Sequence, residues 1–115
     1  MNIHQLDTPA LILDKKLFEH NRRTMKELID RTGMQLRPHY KSHKCPTIAA
    51  LQIQDGAKGI TCAKLGEAMD LAAAGIQDIL IANQIVQPEK MPRLAQLASE
   101  CRLTLCVECR KCADA

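Results

Sequence analysis

The densest concentration of reactive side chains in this sequence is the run Arg37-Pro38-His39-Tyr40-Lys41-Ser42-His43-Lys44. Two imidazoles, two ammonium groups, a phenol and a guanidinium fall within eight residues, which is unusual for a plain connecting loop. A lysine becomes a covalent catalyst when its unprotonated amine condenses with a carbonyl to form an imine. Cations at Arg37 and Lys44, with a protonated histidine, would help to drive its proton off by repulsion, and burial would add to this. The chemistry therefore makes Lys41 a candidate covalent catalyst. A solvated basic loop without catalytic duty has the same composition, so the run alone leaves both readings open. Arg37 in particular can equally form a salt bridge to a strand-end carboxylate.

Such a loop works only if rigid elements hold it. Ala10 to Leu13 is a short apolar run that fits a brief strand. Asp14 can N-cap the following helix, where Leu17, Phe18, Met25, Leu28 and Ile29 recur at helical spacing. Gly33 supplies a left-handed stop. Met34 to Arg37 is again extended, and Pro38 bars continued ladder pairing. Pro46 suits the first turn of a second helix, running to about Asp55 with Gly56 as its stop. Gly59 to Ala63 is a strand, Leu65 to Ala74 a helix closed by Gly75, Asp78 to Ala82 a strand, Pro92 to Ser99 a helix and Leu103 to Val107 a final strand.

Strict alternation of strand and helix implies parallel strands joined by helical crossovers. Strands that are apolar throughout, as in DILIA, fit a sheet covered on both faces. No G-x-G-x-x-G follows the first strand, so a dinucleotide-binding fold lacks its phosphate turn. The expected class is α/β, as part of a parallel eight-fold barrel. A barrel of this kind needs roughly 250 residues, so this chain would supply about half. Its end, just inside a would-be helix, leads to the expectation of a truncated protein. The reactive run follows a strand and precedes a helix, which places it at the carboxyl face where barrel active sites sit. Asn83 ends the DILIA strand at the same mouth. Its amide can bind substrate or cofactor, or simply close a turn.

Composition narrows the partners. One Tyr, one Phe and no Trp argue against base stacking, and a net charge of +3 without a run of like charges does not indicate a nucleic-acid or membrane tail. The N-terminus lacks the pattern of a signal peptide, no apolar run approaches the roughly 20 residues of a membrane span, and a cytoplasmic location is expected. Six cysteines without an export signal are expected as free thiols. Cys106-x-x-Cys109-x-x-Cys112 imitates the start of an iron–sulfur run but lacks a fourth ligand, and Cys106 falls in the strand LTLCV, which directs it toward a core. No metal ligand is assigned. Cys45 and Cys62 are expected to pack as small apolar groups. Glu67 starts a helix, where its charge suits the dipole.

The run RPHYKSHK, placed about 30 residues after DTPALILD, resembles the signature of the D-threonine aldolase and D-serine dehydratase family, built on the alanine racemase-type N-terminal barrel. The segment GITCAKLGEAMDLAAAGIQDILIANQIV resembles it too, so the likeness covers essentially residues 6 to 112. It implies that Lys41 holds pyridoxal 5′-phosphate (PLP) covalently, with His39, His43, Arg37 and Asn83 as candidate cofactor contacts. It further implies a lyase acting on small D-configured 3-hydroxy amino acids, yielding glycine and an aldehyde, or by dehydration a keto acid and ammonia. A divalent metal (manganese or zinc), its ligands, the phosphate cup and a C-terminal β domain would lie beyond residue 115, and the full-length protein is expected as a homodimer. Two further readings stand beside this one: a PLP-carrier protein without turnover, and a fragment that is inactive alone and self-associates through its open sheet edges.

Overall fold

The opening helix is fixed at both ends by local chemistry. The Asp14 carboxylate accepts from the Leu17 N–H at 3.0 Å and caps α1, Lys15–Thr32. Gly33, at φ +67°, donates its N–H to the Ile29 carbonyl at 2.9 Å and ends the helix in the left-handed region that a side chain would disfavour. A computed structural model describes residues 2–113, apart from the side chains of Lys111 and Cys112. The elements after α1 are α2 (Pro46–Gln54), β1 (Ile60–Cys62), α3 (Leu65–Ala73), β2 (Asp78–Ile81), α4 (Met91–Glu100), β3 (Arg102–Leu105) and α5 (Arg110–Ala113). Pro46 opens α2, where a missing N–H costs nothing.

The three strands form one parallel sheet in the order β1-β2-β3. Ile60, Thr61 and Cys62 lie opposite Ile79, Leu80 and Ile81, which in turn face Leu103, Thr104 and Leu105. The stretch from Leu36 to His39 runs beside β1 as a partial fourth member. Lys58 N–H donates to the Leu36 carbonyl at 3.0 Å, Thr61 N–H to the Pro38 carbonyl at 2.8 Å, and one parallel bridge joins His39 to Thr61. Pro38 has no N–H to return, so the pairing stays a single bridge.

The sheet's two faces differ. Ile60, Cys62, Ile79 and Ile81 are fully buried and pack with Ala49, Leu65, Ala68, Leu71, Leu94 and Leu97 from the helices. On the opposite face of β2 and β3, Asp78 and Leu80 are half-buried and Arg102 and Thr104 exposed. Helices thus cover one face among the described residues, whereas DILIA led to the expectation of two covered faces. The parallel α/β class is as expected, with three strands rather than a closed barrel.

The Ala10–Leu13 run does not become a strand. It carries no regular structure and is exposed, with Leu11 fully in solvent, because no described strand lies alongside to accept its ladder bonds. The face of α1 is also only partly covered. Leu17, Met25 and Leu28 are exposed, and no residue of the helix is fully buried. What anchors α1 is Arg22, which donates to both Asp55 carboxylate oxygens at 2.6 and 2.8 Å and to the Leu51 carbonyl at 3.4 Å. A cleft of about 290 Å³ remains between Phe18, Met25 and Ile29 on one side and Leu36, Pro38 and Ala57 on the other. The final strand is shorter than LTLCV, ending at Leu105. Cys106 is therefore exposed rather than directed into the core.

Candidate active site

The reactive run sits where the pairing with β1 stops, at the sheet's carboxyl end. Tyr40–Ser42 forms one 3₁₀ turn. Tyr40 is its buried anchor, 2 % exposed, and its carbonyl accepts from the N–H groups of His43 at 3.2 Å and Lys44 at 2.8 Å. Burial is the main cause that raises the phenol's pKa, with the charges of Asp70, Cys45 and Glu67 adding to it. Lys44 then takes φ +47°, a left-handed conformation that costs a non-glycine residue about 1 kcal/mol or more and must be held by its surroundings.

Lys41 projects from this turn into solvent, and among the described residues its ammonium makes no hydrogen bond or ion pair. The His39 ring accepts from the Lys41 backbone N–H at 3.3 Å through Nδ1, so this imidazole caps and supports the turn. In its neutral form the ring proton is then on Nε2.

The His43 ring turns back beneath the loop. Its Nδ1 accepts from the Cys45 N–H at 3.1 Å, and its ring meets Tyr40 edge-on with centroids 5.5 Å apart. Its Nε2 and the Oε1 of Gln52 are both buried without a well-formed hydrogen bond, although Gln52 lies near enough to favour a proton on the ring. Desolvation outweighs this and lowers the His43 pKa below 6.5, the ordinary imidazole value. A histidine depressed in the fold stabilises through its neutral form. That contribution is fully present above pH 6.5 and is lost as pH falls through the lowered folded value. Chemical unfolding at a series of pH values should therefore show wild type losing stability below pH 6.5 more steeply than His43→Phe; equal slopes would contradict the assignment.

Arg37 is engaged in an ion pair. Its guanidinium donates to both Asp78 carboxylate oxygens, at 2.6 and 2.9 Å, at the amino end of β2. This pair, with side chains 22 % and 15 % exposed, holds the Asp78 carboxyl below its usual range. Of the two alternatives for Arg37, the salt bridge is the one formed. Lys44 is also paired, with Nζ 3.7 Å from Glu67 Oε1. The two cations expected to repel the Lys41 proton are thus each offset by a carboxylate.

Between the ends of β1 and β2 lies a cleft of about 550 Å³ lined by Lys44, Lys64, Lys90, Glu67 and Asn83, among others. Lys44 contributes to its wall; Lys41, three residues earlier, does not. Asn83 is exposed there, donating to the Ala63 carbonyl at 3.4 Å and accepting from the Gln84 N–H at 3.0 Å. It both closes a turn and faces the rim. Glu67 is the residue the sequence reading undervalued. It is 9 % exposed, and its Oε2 accepts from the Ala63 N–H at 2.9 Å. The signal was present: Glu67 lies one turn before Leu71 and beside Ala68, on the buried stripe of α3. Beneath it Cys62 is inert, its thiol pushed up to about 12 by burial and by the Glu67 charge. No group of three or more potential metal ligands occurs among the described residues.

Residues 13–115 match the family model described as alanine racemase, N-terminal domain. Over 104 residues the chain is 49 % identical to the D-threonine aldolase of an Arthrobacter species, covering 90 % of this chain and 27 % of that protein. It is 40 % identical to the D-threo-3-hydroxyaspartate dehydratase of a Delftia species, covering 90 % of this chain and 27 % of the relative. Among solved structures, D-threonine aldolase from Filomicrobium marinum superposes with a TM-score of 0.94 at 44 % identity, covering 97 % of this chain and 30 % of the other. The chain therefore spans less than a third of the length of these relatives. Its parallel sheet with helical crossovers, its strand-end lysine loop and this match together place it in the alanine racemase N-terminal domain family.

Proposed function

We propose that this chain is the opening part of a PLP-binding barrel in a lyase that cleaves D-3-hydroxy amino acids, with Lys41 as the cofactor's covalent anchor. The observation that carries the proposal is an accessible primary amine at the carboxyl end of a parallel sheet, in a chain 49 % identical to a D-threonine aldolase. The residues present fit the group. Lys41 offers the amine, and the ammonium groups of Lys44, Lys64 and Lys90 beside the rim cleft suit an anionic aldehyde. When bound, PLP supplies an electron sink for the substrate's Cα.

The chain's own residues would do the positioning. His39 holds the turn that presents Lys41, Tyr40 roots it in the core, and Asn83 offers an amide to whatever occupies the rim. His43 stiffens the loop from beneath. A divalent metal, manganese or zinc, would be held by residues outside this chain. Closure of the barrel, a homodimeric assembly and a cytoplasmic location belong to the same proposal.

The likeness to the Delftia dehydratase favours one second reading, dehydration instead of carbon–carbon cleavage. Product analysis separates the two. Full-length protein given PLP, a divalent metal and D-threonine should release glycine and acetaldehyde in equal amounts. Release of 2-oxobutanoate and ammonia would assign dehydration. Absence of turnover on D-threonine, D-serine and D-3-hydroxyaspartate would sink both and leave a carrier role.

A further inference from the structure

Three successive strand ends meet at the carboxyl rim, and one buried carboxylate touches or bridges all of them. Glu67 Oε2 accepts from the N–H of Ala63, the first residue past β1. The carbonyl of the same Ala63 accepts from Asn83, the second residue past β2. Glu67 Oε1 faces the ammonium of Lys44, which ends the loop that carries Lys41. Helix α3 buries the carboxylate's stem, leaving the side chain 10 % exposed, whereas Lys44 is 64 % exposed.

This arrangement has a mechanical consequence. The Lys41 turn is joined to β1 by one bridge at His39, and it then passes through the left-handed Lys44 before α2 begins. Without a further attachment, the position of Lys41 relative to the ends of β1 and β2 would rest on that bridge, the Tyr40 anchor and the His43 ring beneath the loop. The Lys44–Glu67 contact supplies the attachment, and the clamped Ala63 peptide extends it to Asn83.

We infer that Glu67 is a positioning residue for the PLP-anchoring loop, acting through Lys44 to hold Lys41 in register with the ends of β1 and β2. The inference rests on the assignment of Lys41 as the anchor. A partly exposed contact of 3.7 Å is weak, so the expected effect is a few-fold change rather than loss.

The test is a double-mutant cycle in the full-length protein. The readout is PLP capture on Lys41: binding across a PLP titration, trapped by borohydride and measured as the reduced peptide by mass spectrometry. Glu67→Gln keeps an oxygen for the Ala63 N–H but removes the charge. Half-saturation should rise about threefold in Glu67→Gln and in Lys44→Met, rise no further in the double variant, and return to wild type in Lys44→Arg. Lys44 is mostly exposed, so Lys44→Met remains informative even if Glu67→Gln folds poorly. Unchanged capture in Lys44→Met, or effects that multiply in the double variant, would overturn the inference. Failure of wild type to capture PLP on Lys41 would instead overturn the anchor assignment, and is read separately.

Discussion

Lys41→Ala in the full-length protein should abolish covalent capture of PLP and lower turnover by about 10⁴-fold or more, the scale seen when a member of a covalent catalytic unit is deleted. The same substitution should leave the unfolding midpoint of the PLP-free protein nearly unchanged, since only the cofactor-loaded form gains stability from the bound group. Lys41 is exposed, and among the described residues its ammonium holds nothing in place. A surface change of that kind is worth within about 0.5 kcal/mol. The two readouts together are decisive, because a structural lysine would move stability and leave the cofactor bound. The nearest rival amine in sequence is Lys44, engaged with Glu67 at 3.7 Å. Borohydride-trapped PLP remaining on the protein after Lys41→Ala, with turnover intact, would transfer the role to another amine.

The second large effect lies at the other end of the sheet. Gly59→Ala should destabilise the protein by roughly 3 kcal/mol, the upper part of the range for an inserted methyl with no room to relax. A Cβ at Gly59 would collide with the Arg37 guanidinium and with the Asp78 carbonyl oxygen. The register explains why. Gly59 precedes Ile60, which lies opposite Ile79, so Gly59 stands between the Arg37 stretch and Asp78. Arg37 reaches over the space that a side chain would fill and binds Asp78 on the next strand but one. Trimming Arg37 to alanine in the Gly59→Ala background should recover only part of the loss, since the backbone carbonyl of Asp78 cannot withdraw as a side chain can. A midpoint for Gly59→Ala equal to wild type would mean that the strands are not in this register. Gly59 thus serves the fold rather than the chemistry, although it lies in a sequence segment that carries the family likeness.

Local sequence chemistry was legible wherever the cause is local. Asp14, Gly33 and Pro46 mark helix ends because a carboxylate, a missing Cβ and a missing N–H each act on the adjoining turn. The DILIA run is a central strand because its branched apolar residues suit burial between neighbours. Ala10–Leu13 has a similar run of apolar residues and does not pair, since a strand also needs a partner, and none of the described strands lies beside it.

The candidate site divides along the same line. Residue types and spacing marked the Arg37–Lys44 run as chemically loaded, because reactivity belongs to the side chains themselves, while the choice of Lys41 over a solvated basic loop came from the family likeness. The partners had to come from tertiary structure. Arg37 pairs with a residue 41 positions away, and Lys44 with Glu67, so neither remains the free cation that its neighbourhood in sequence implies. His43 turns beneath the loop because Tyr40, Cys45 and Gln52 enclose it, while His39 stays at the turn's start and caps it. Chain order determines which groups exist and which turns they form. Which charges cancel, and which ring is buried, depends on distances set only when strands from remote segments come to lie side by side.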